Sequence, residues 1–264
     1  MEKALTGILE EIIAQKRHEV EARKAQVPLE ELQEAARAMP PARDFAAALR
    51  RGAGPVKLLA EIKAASPSQG VIRAEFDAAA LAREYEKQGA AAVSVLTNFK
   101  YFGGTDAHLK AAKAATTVPI LRKDFTIDPY QLYESKAIGA DAILLMAQVL
   151  DEETYASLFH EAQALGLHVL AEGHTEEEIR FLVDLGVPVI GVNNRDFRTM
   201  QVDLATALHR RPLIPSDRVL VSQSGYSQRT EVLRAEAAGV DAIQVGTSIM
   251  QHGEVGDGVR GLMG

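Results

Sequence analysis

Residues 139–146, GADAILLM, combine the two signals that determine the fold. Gly139 is typical of a helix end, because glycine readily adopts the left-handed conformation of a C-cap. The apolar run behind it has the length and composition of a buried strand. Residues 239–246, GVDAIQVG, repeat this arrangement. Glycines also stand directly before three other apolar runs, at Gly89, Gly166 and Gly186. The repetition predicts a chain built from consecutive helix–strand units.

Eight apolar runs follow one another, and the segments between them have apolar residues at helical spacing. Their bounds are 56–63, 91–96, 118–124, 141–146, 167–172, 187–193, 218–224 and 241–246. Runs rich in valine, leucine and isoleucine that alternate with helices predict a parallel sheet covered by helices. Eight such units predict an α/β fold, a (β/α)8 TIM barrel. A doubly wound open sheet is the alternative, but no glycine-rich dinucleotide fingerprint follows the first run.

The N-terminal segment before the first run is predicted to be helical. Residues 2–24 carry apolar side chains at helical spacing, with Lys16 on the same face, which predicts one amphipathic helix. We expect residues 1–55 to form a helical extension that packs on a barrel of residues 56–264. The two parts together are expected to make one structural domain.

Composition excludes several classes of function. The chain has 264 residues, no cysteine and a formal net charge of −7. Without cysteine there is no disulfide framework, thiolate metal site or cysteine nucleophile, and a cytoplasmic location is expected. The acidic balance argues against a nucleic-acid-binding protein. No apolar run approaches the roughly 20 residues that span a bilayer, and no histidine stands at metal-ligand spacing, so neither a membrane nor a metal is expected.

Polar residues end several of the runs, where the loops of a barrel build the active site. Glu61 and Lys63 end the first run two positions apart, so both side chains can point into the barrel mouth. The other candidates at strand ends are Lys123, Glu172, Asn193, Arg195, Gln223 and Ser224. One charged residue at a strand end usually marks only the point where the chain leaves the core and enters solvent. A whole ring of lysine, glutamate and asparagine predicts an active site.

The last two runs end in glycine turns, at Ser224-Gly225 and at 246–250, GTSIM. Glycines let backbone N–H groups approach an anion, and these two loops form the usual phosphate site of such barrels. Two lysines and a glutamate beside a phosphate site are suited to carbon chemistry on a sugar phosphate. A lysine could act as a general acid, with a carboxylate as base, or could form a Schiff base as in an aldolase. The spacing leaves both mechanisms open.

Five motifs in order resemble the indole-3-glycerol-phosphate synthase family of tryptophan biosynthesis. They are AEIKAASPS (60–68), PILRKDF (119–125), LAEGHTEEE (170–178), IGVNNRD (190–196) and GTSIM (246–250). The resemblance covers nearly the whole chain. It implies a (β/α)8 barrel without metal or organic cofactor, a carboxy-lyase that cyclises, decarboxylates and dehydrates 1-(2-carboxyphenylamino)-1-deoxyribulose 5-phosphate. Its partners would be this sugar-phosphate substrate and other enzymes of the pathway.

The resemblance also implies roles for single residues. Lys123 would be the general acid of ring closure, and Lys63, oriented by Glu61, would hold the substrate carboxylate and protonate the leaving hydroxyl. Glu172 would take the proton lost in dehydration. The substrate would be positioned by Asn193, Arg195, Ser66 and Ser224, and its aromatic ring would be enclosed by Phe102 and Phe125. The phosphate would be bound by Gly225, Gly246, Thr247 and Ser248.

Two positions depart from the family pattern. Gln223 stands where the family has the glutamate of a Glu-Ser-Gly motif, and Ala64-Ala65 stand where basic residues are frequent. An amide keeps the size of the carboxylate but lacks its charge. These departures leave a degenerate copy, with weak or no turnover and a binding or regulatory role, as an alternative. If the chain is active, we expect Gln223→Glu to raise the turnover number.

Overall fold

The computed structural model describes residues 5, 7–67, 69–73 and 76–264. Eight strands form a closed barrel in which every pair of neighbours is parallel. The strands are β1 (Lys57–Ile62), β2 (Ala92–Leu96), β3 (Ile120–Lys123), β4 (Ala142–Met146), β5 (His168–Gly173), β6 (Val189–Asn193), β7 (Val219–Gln223) and β8 (Ala242–Val245). Each strand overlaps a predicted run, and only β5 extends beyond its run, by one residue, so the (β/α)8 TIM barrel is confirmed. The open-sheet alternative is wrong, because β8 pairs with β1 and closes the sheet.

Helices precede and surround the barrel. They are α1 (Ile8–Gln26), α2 (Leu29–Ala38), α3 (Phe45–Leu49), α4 (Ala78–Lys87), α5 (Phe99–Phe102), α6 (Asp106–Ala115), α7 (Tyr130–Ala137), α8 (Glu152–Ala164), α9 (Glu176–Asp184), α10 (Ala205–Arg210), α11 (Arg229–Ala237), α12 (Thr247–Met250) and α13 (Val255–Met263). A short antiparallel pair, Ala65–Ser66 with Gly70–Val71, follows β1 and was not predicted.

The glycines that are predicted to end helices, called glycine stops below, have the expected backbone conformation. Gly139 has φ 94° and Gly239 has φ 85°, both in the left-handed region. Gly89, Gly166 and Gly186 also have positive φ. The strands that follow are buried along most of their length, as parallel strands covered by helices require. A glycine stop therefore ends a helix and returns the chain directly into the barrel.

Helix α1 spans Ile8–Gln26 and ends two residues beyond the predicted end at residue 24. Residues 2–4 and 6 of the predicted helix lie outside the described residues, as does Ser68 of the first motif. The predicted apolar face of α1 is buried, and it includes Lys16, which is only 2% exposed. The Lys16 ammonium lies 2.8 Å from an oxygen of Asp124, the residue directly after β3. This buried ion pair joins the extension to the end of a barrel strand.

A second polar link lies at the other end of the barrel. Asp141, buried just before β4, accepts hydrogen bonds from the backbone N–H of Arg43 at 2.7 Å and from the Lys113 ammonium. The Arg43 guanidinium donates to the carbonyl of Val118 at 2.7 Å. The extension thus contacts both ends of the barrel. Within the described ranges, no helix combines the length and apolar composition of a membrane span.

Candidate active site

One cavity of about 290 Å³ lies at the carboxyl ends of the barrel strands. All fifteen residues predicted for the site contribute to its lining: Glu61, Lys63, Ser66, Phe102, Lys123, Phe125, Glu172, Asn193, Arg195, Gln223, Ser224, Gly225, Gly246, Thr247 and Ser248. The ends of the parallel strands and the loops that follow them position these side chains, so residues far apart in sequence converge at one mouth.

Two lysines and two glutamates form a row of alternating charge, which we name the charged row: Lys63, Glu61, Lys123 and Glu172. Lys63 Nζ donates to Glu61 Oε1 at 2.5 Å. Lys123 Nζ lies 3.7 Å from Glu61 Oε2 and 4.0 Å from Glu172 Oε2. Lys123 therefore stands between two carboxylates, within ion-pair range of both but beyond the usual length of a hydrogen bond.

The surroundings of Glu61 keep this carboxylate ionised. Burial, the largest single effect, raises its pKa, but the charges of Lys63 and Lys123 lower it. Hydrogen bonds from Lys63 and Gln244 lower it further, and the net result is a pKa of about 2. Glu61 is thus an anion at neutral pH, in ion-pair contact with both lysines.

Side chains on β3 alternate between the cavity and the surrounding helices. Lys123 faces the cavity, whereas the buried Arg122 pairs with Asp106 at 3.0 Å and with Glu134 at 2.7 Å. Asp124 pairs with Lys16 of α1. Successive side chains of a strand point to opposite faces, which explains why adjacent charged residues here have different surroundings. Arg122 and Asp124 hold the strand end on which Lys123 is placed.

Three amides hold the carboxylates. Asn193 Nδ2 donates to Glu172 Oε1 at 3.1 Å, and Gln223 Nε2 donates to Glu172 Oε2 at 2.8 Å. Gln223 Nε2 also donates to Gln244 Oε1 at 2.8 Å. Gln244 Nε2 then donates to Glu61 Oε2 at 2.7 Å. We name Gln223 and Gln244 the amide bridge, since together they connect the two glutamates.

Gln244 was missed by the sequence reasoning. Its only signal is one polar residue inside the apolar run 241–246, DAIQVG. The side chain is 3% exposed and also donates to Ser94 Oγ at 3.3 Å. A polar residue inside the barrel needs hydrogen-bond partners, and here the partners belong to the site.

The two glycine turns also line the cavity, and Gly246 lies directly beside Glu61 and Lys63. Ser224 and Gly225 have φ of 69° and 98°, and only glycine adopts such angles without strain. The Ser224 carbonyl accepts a hydrogen bond from Asn194 Nδ2 at 3.0 Å. Ser248 Oγ donates to the carbonyl of Tyr226 at 2.7 Å and so joins the two turns. Asn194, which the sequence analysis includes only as part of the motif IGVNNRD, thus supports the turn.

Apolar side chains form another wall. The rings of Phe102 and Phe125 lie with centroids 6.3 Å apart, inclined at 37°. Ile8 and Ile12 of α1 also line the cavity, a contribution of the extension that the sequence reasoning did not assign. A flat aromatic substrate would contact such a wall.

Two hydrogen bonds hold Arg195, one from its backbone and one from its guanidinium group. Its N–H donates to Asn193 Oδ1 at 3.0 Å, and its guanidinium donates to the carbonyl of Met200 at 3.0 Å. Burial lowers the pKa of Arg195, while the charge of Glu61 raises it.

At the second departure from the family pattern, the carbonyl of Ala64 accepts hydrogen bonds from the N–H groups of Ile72 and Arg73. This position stabilises the loop after β1 through its backbone.

Comparison with known proteins identifies the family. A family model described as indole-3-glycerol phosphate synthase matches residues 9–262. Two relatives named indole-3-glycerol phosphate synthase, from two strains of Acidithiobacillus ferrooxidans, are 45% identical over 260 residues, which cover 98% of this chain and 99% of each relative. The chain belongs to the indole-3-glycerol phosphate synthase family. The resemblance found in the five motifs is confirmed, and the protein is an enzyme, a decarboxylating lyase of tryptophan biosynthesis.

Solved structures with low sequence identity share the fold of this indole-3-glycerol phosphate synthase family member. A 3-hexulose-6-phosphate synthase from Salmonella typhimurium is 14% identical with a TM-score of 0.63, and the match covers 79% of this chain and 97% of that one. A thiamine phosphate pyrophosphorylase from Pyrococcus furiosus is 17% identical with a TM-score of 0.57, over 78% and 93% of the chains. At such identities the likeness concerns the fold alone.

Proposed function

We propose that this site converts 1-(2-carboxyphenylamino)-1-deoxyribulose 5-phosphate into indole-3-glycerol phosphate, carbon dioxide and water. The observation that carries the proposal is the place of Lys123, whose ammonium stands between Glu61 and Glu172 at 3.7 and 4.0 Å and lines the cavity. A general acid must direct a proton at the substrate, and the Lys123 ammonium lines the cavity between the two carboxylates.

Ring closure is the first chemical step in this proposal. The aromatic carbon that bears the carboxylate attacks the carbonyl carbon of the ribulose chain, and Lys123 gives its proton to the carbonyl oxygen. Loss of carbon dioxide returns an electron pair to the ring and restores its aromaticity. Lys63, in contact with Glu61, binds the substrate carboxylate beforehand. Phe102 and Phe125 enclose the ring.

Dehydration is the second step. Lys63 protonates the hydroxyl that ring closure produced, and this hydroxyl leaves as water. Glu172 accepts a proton from the adjacent carbon, whose electrons form the last double bond of the indole. Asn193 Nδ2, at 3.1 Å from Glu172 Oε1, orients the accepting carboxylate. Asn193, Arg195, Ser66 and Ser224 position the substrate during both steps.

The two alternatives are distinguished by experiment. The purified protein with 1-(2-carboxyphenylamino)-1-deoxyribulose 5-phosphate is expected to produce indole fluorescence together with an equal amount of carbon dioxide. Heat-denatured protein is the control. Binding of the substrate without product would instead support the degenerate copy. Borohydride is expected to trap no lysine adduct, and a trapped adduct would favour the Schiff-base aldolase, which family membership already disfavours.

The glycine turns are expected to bind the substrate phosphate. Gly225, Gly246, Thr247 and Ser248 offer close backbone approach and the first turn of α12. In crystals grown with phosphate or sulfate, we expect the anion between the two turns, and inorganic phosphate is expected to inhibit competitively. Anion density elsewhere in the barrel mouth, with the turns empty, would contradict this assignment.

Three wider expectations are also part of the proposal. The extension of residues 1–55 and the barrel of 56–264 act as one structural domain, supported by the buried pair of Lys16 with Asp124 and by the contacts of Arg43. The enzyme works in the cytoplasm, consistent with a chain that has no cysteine. Contacts with other enzymes of tryptophan biosynthesis are a prediction that rests on the resemblance alone.

A further inference from the structure

The amide bridge touches the two carboxylate oxygens that face the general acid. Gln244 Nε2 donates to Glu61 Oε2, and Gln223 Nε2 donates to Glu172 Oε2. These are the same atoms that lie 3.7 and 4.0 Å from Lys123 Nζ. Each oxygen thus has a direct hydrogen bond from an amide and only a longer ionic contact with the lysine.

Charge-assisted hydrogen bonds between an ammonium and a carboxylate are usually about 2.7 to 2.9 Å long. Lys63 donates to the other oxygen of Glu61 at 2.5 Å, a contact even shorter than this range. Lys123 does not, although it faces two carboxylates. The difference between the two lysines coincides with the amides, which hold the Lys123-facing oxygens.

Donor and acceptor chemistry fixes the direction of the bridge. An ionised Glu61 only accepts, so Gln244 must present its NH₂ group to it, and its carbonyl oxygen then faces Gln223. Gln223 meets two acceptors, Gln244 Oε1 and Glu172 Oε2, so it must present its NH₂ group as well. Both protons of each NH₂ group are used, because that of Gln244 also reaches Ser94 Oγ at 3.3 Å.

One atom is left unsatisfied by this direction. Gln223 Oε1 is buried and has no hydrogen-bond partner in the part of the chain that the structure describes. It fits only because residue 191 is glycine, since a Cβ there would lie 2.2 Å from this oxygen. An unpartnered buried carbonyl is costly. Despite this cost, the NH₂ groups of Gln223 and Gln244 both point toward the carboxylates.

We infer that Gln244 is a positioning residue which, with Gln223, holds Glu61 and Glu172 off Lys123, so that the lysine keeps its N–H protons free for the substrate. This inference rests on the proposed function. Lys123 is the catalytic residue, and Gln244 acts on it through Glu61. Without Gln244, Glu61 Oε2 loses its short hydrogen bond and is expected to close on the Lys123 ammonium.

Gln244→Met tests this role, because methionine has a similar length but cannot donate. We expect kcat to fall about 10-fold, the lower range for losing a hydrogen bond to a charged group, with KM changed much less. Gln88→Met is the matched control. Gln88 Nε2 also donates to a glutamate oxygen at 2.7 Å, that of Glu84 on α4, away from the cavity lining. The control is expected to keep the parent kcat.

Two further readouts separate positioning from a structural role. A crystal structure of Gln244→Met is expected to place Glu61 Oε2 within hydrogen-bond distance of Lys123 Nζ, below about 3.2 Å. Gln244→Glu, which presents an acceptor to Glu61, is expected to lower kcat at least as much.

Two outcomes with an active parent would show that the inference is wrong while the proposed function stands. In one, Gln244→Met keeps the parent kcat. In the other, kcat falls only with the melting temperature and the Glu61–Lys123 distance is unchanged. An inactive parent enzyme would overturn both.

Discussion

Lys123→Ala is expected to lower kcat by about 10²- to 10⁴-fold, the usual contribution of a general acid, with much less change in KM. Lys123 ends β3 between Glu61 and Glu172. In the proposed mechanism, its proton completes ring closure at the substrate carbonyl. In the proposed arrangement, substrate binding depends mainly on the two glycine turns, which do not contact this side chain. Stopped-flow and steady-state measurements of indole fluorescence would give both constants.

Lys123→Arg separates proton donation from electrostatics. Arginine keeps the positive charge between the two glutamates but does not release its proton at accessible pH. We expect this variant to be impaired almost as strongly as Lys123→Ala. Lys87→Ala, at an exposed residue of α4, is the control and should have parent kinetics. Full turnover in Lys123→Arg would assign Lys123 an electrostatic role, and full turnover in Lys123→Ala would remove it from the mechanism.

The barrel was predictable because its signals are local. A glycine stop and the apolar run behind it lie within eight residues of each other, as in 139–146, and the pattern recurs along the chain. The small antiparallel pair after β1 was missed, because strands of two residues carry no measurable alternation. Residues at strand ends were predictable for the same local reason, since the fold gathers all strand ends at one mouth.

The partners of these residues could not be predicted. Lys16 was correctly placed on the buried face of α1, but nothing near it in sequence points to Asp124 as its counterion. Gln244 and Glu61 are separated by 183 positions, and their contact depends on β8 closing against β1. In a chain of hydrogen bonds such as the amide bridge, which group donates and which accepts depends on all the partners together, and these meet only in the folded protein.

Gln223 illustrates this difference. Among the predicted site residues, three cations (Lys63, Lys123 and Arg195) face two carboxylates, those of Glu61 and Glu172. From the sequence alone, a glutamate at position 223 would therefore balance the charge, and Gln223→Glu would raise turnover. The contacts reverse that expectation. Gln223 Nε2 donates to Glu172 Oε2 and to Gln244 Oε1, both at 2.8 Å, and a carboxylate at this place would face two acceptors.

A glutamate at position 223 has three ways to respond, and each disturbs the site. It can remain ionised and repel Glu172, it can take up a proton, or Gln244 can rotate its amide and withdraw the donor from Glu61. Loss of two donor contacts at a charged centre, together with a new like charge, is expected to lower kcat about 100-fold. Gln88→Glu, which places the same change beside Glu84 on the surface, should leave kcat unchanged.

The pH dependence of Gln223→Glu distinguishes these responses. Burial and the charge of Glu172 both raise the pKa of a carboxyl group at this position. Below that pKa the new carboxyl is neutral and can donate to Glu172 as the amide does, and above it the donor is lost. The ratio of variant to parent kcat should therefore increase as the pH falls. A ratio that is constant with pH, or a variant as fast as the parent at neutral pH, would mean that the amide at 223 is not needed as a donor and that Gln244 tolerates a charge beside it.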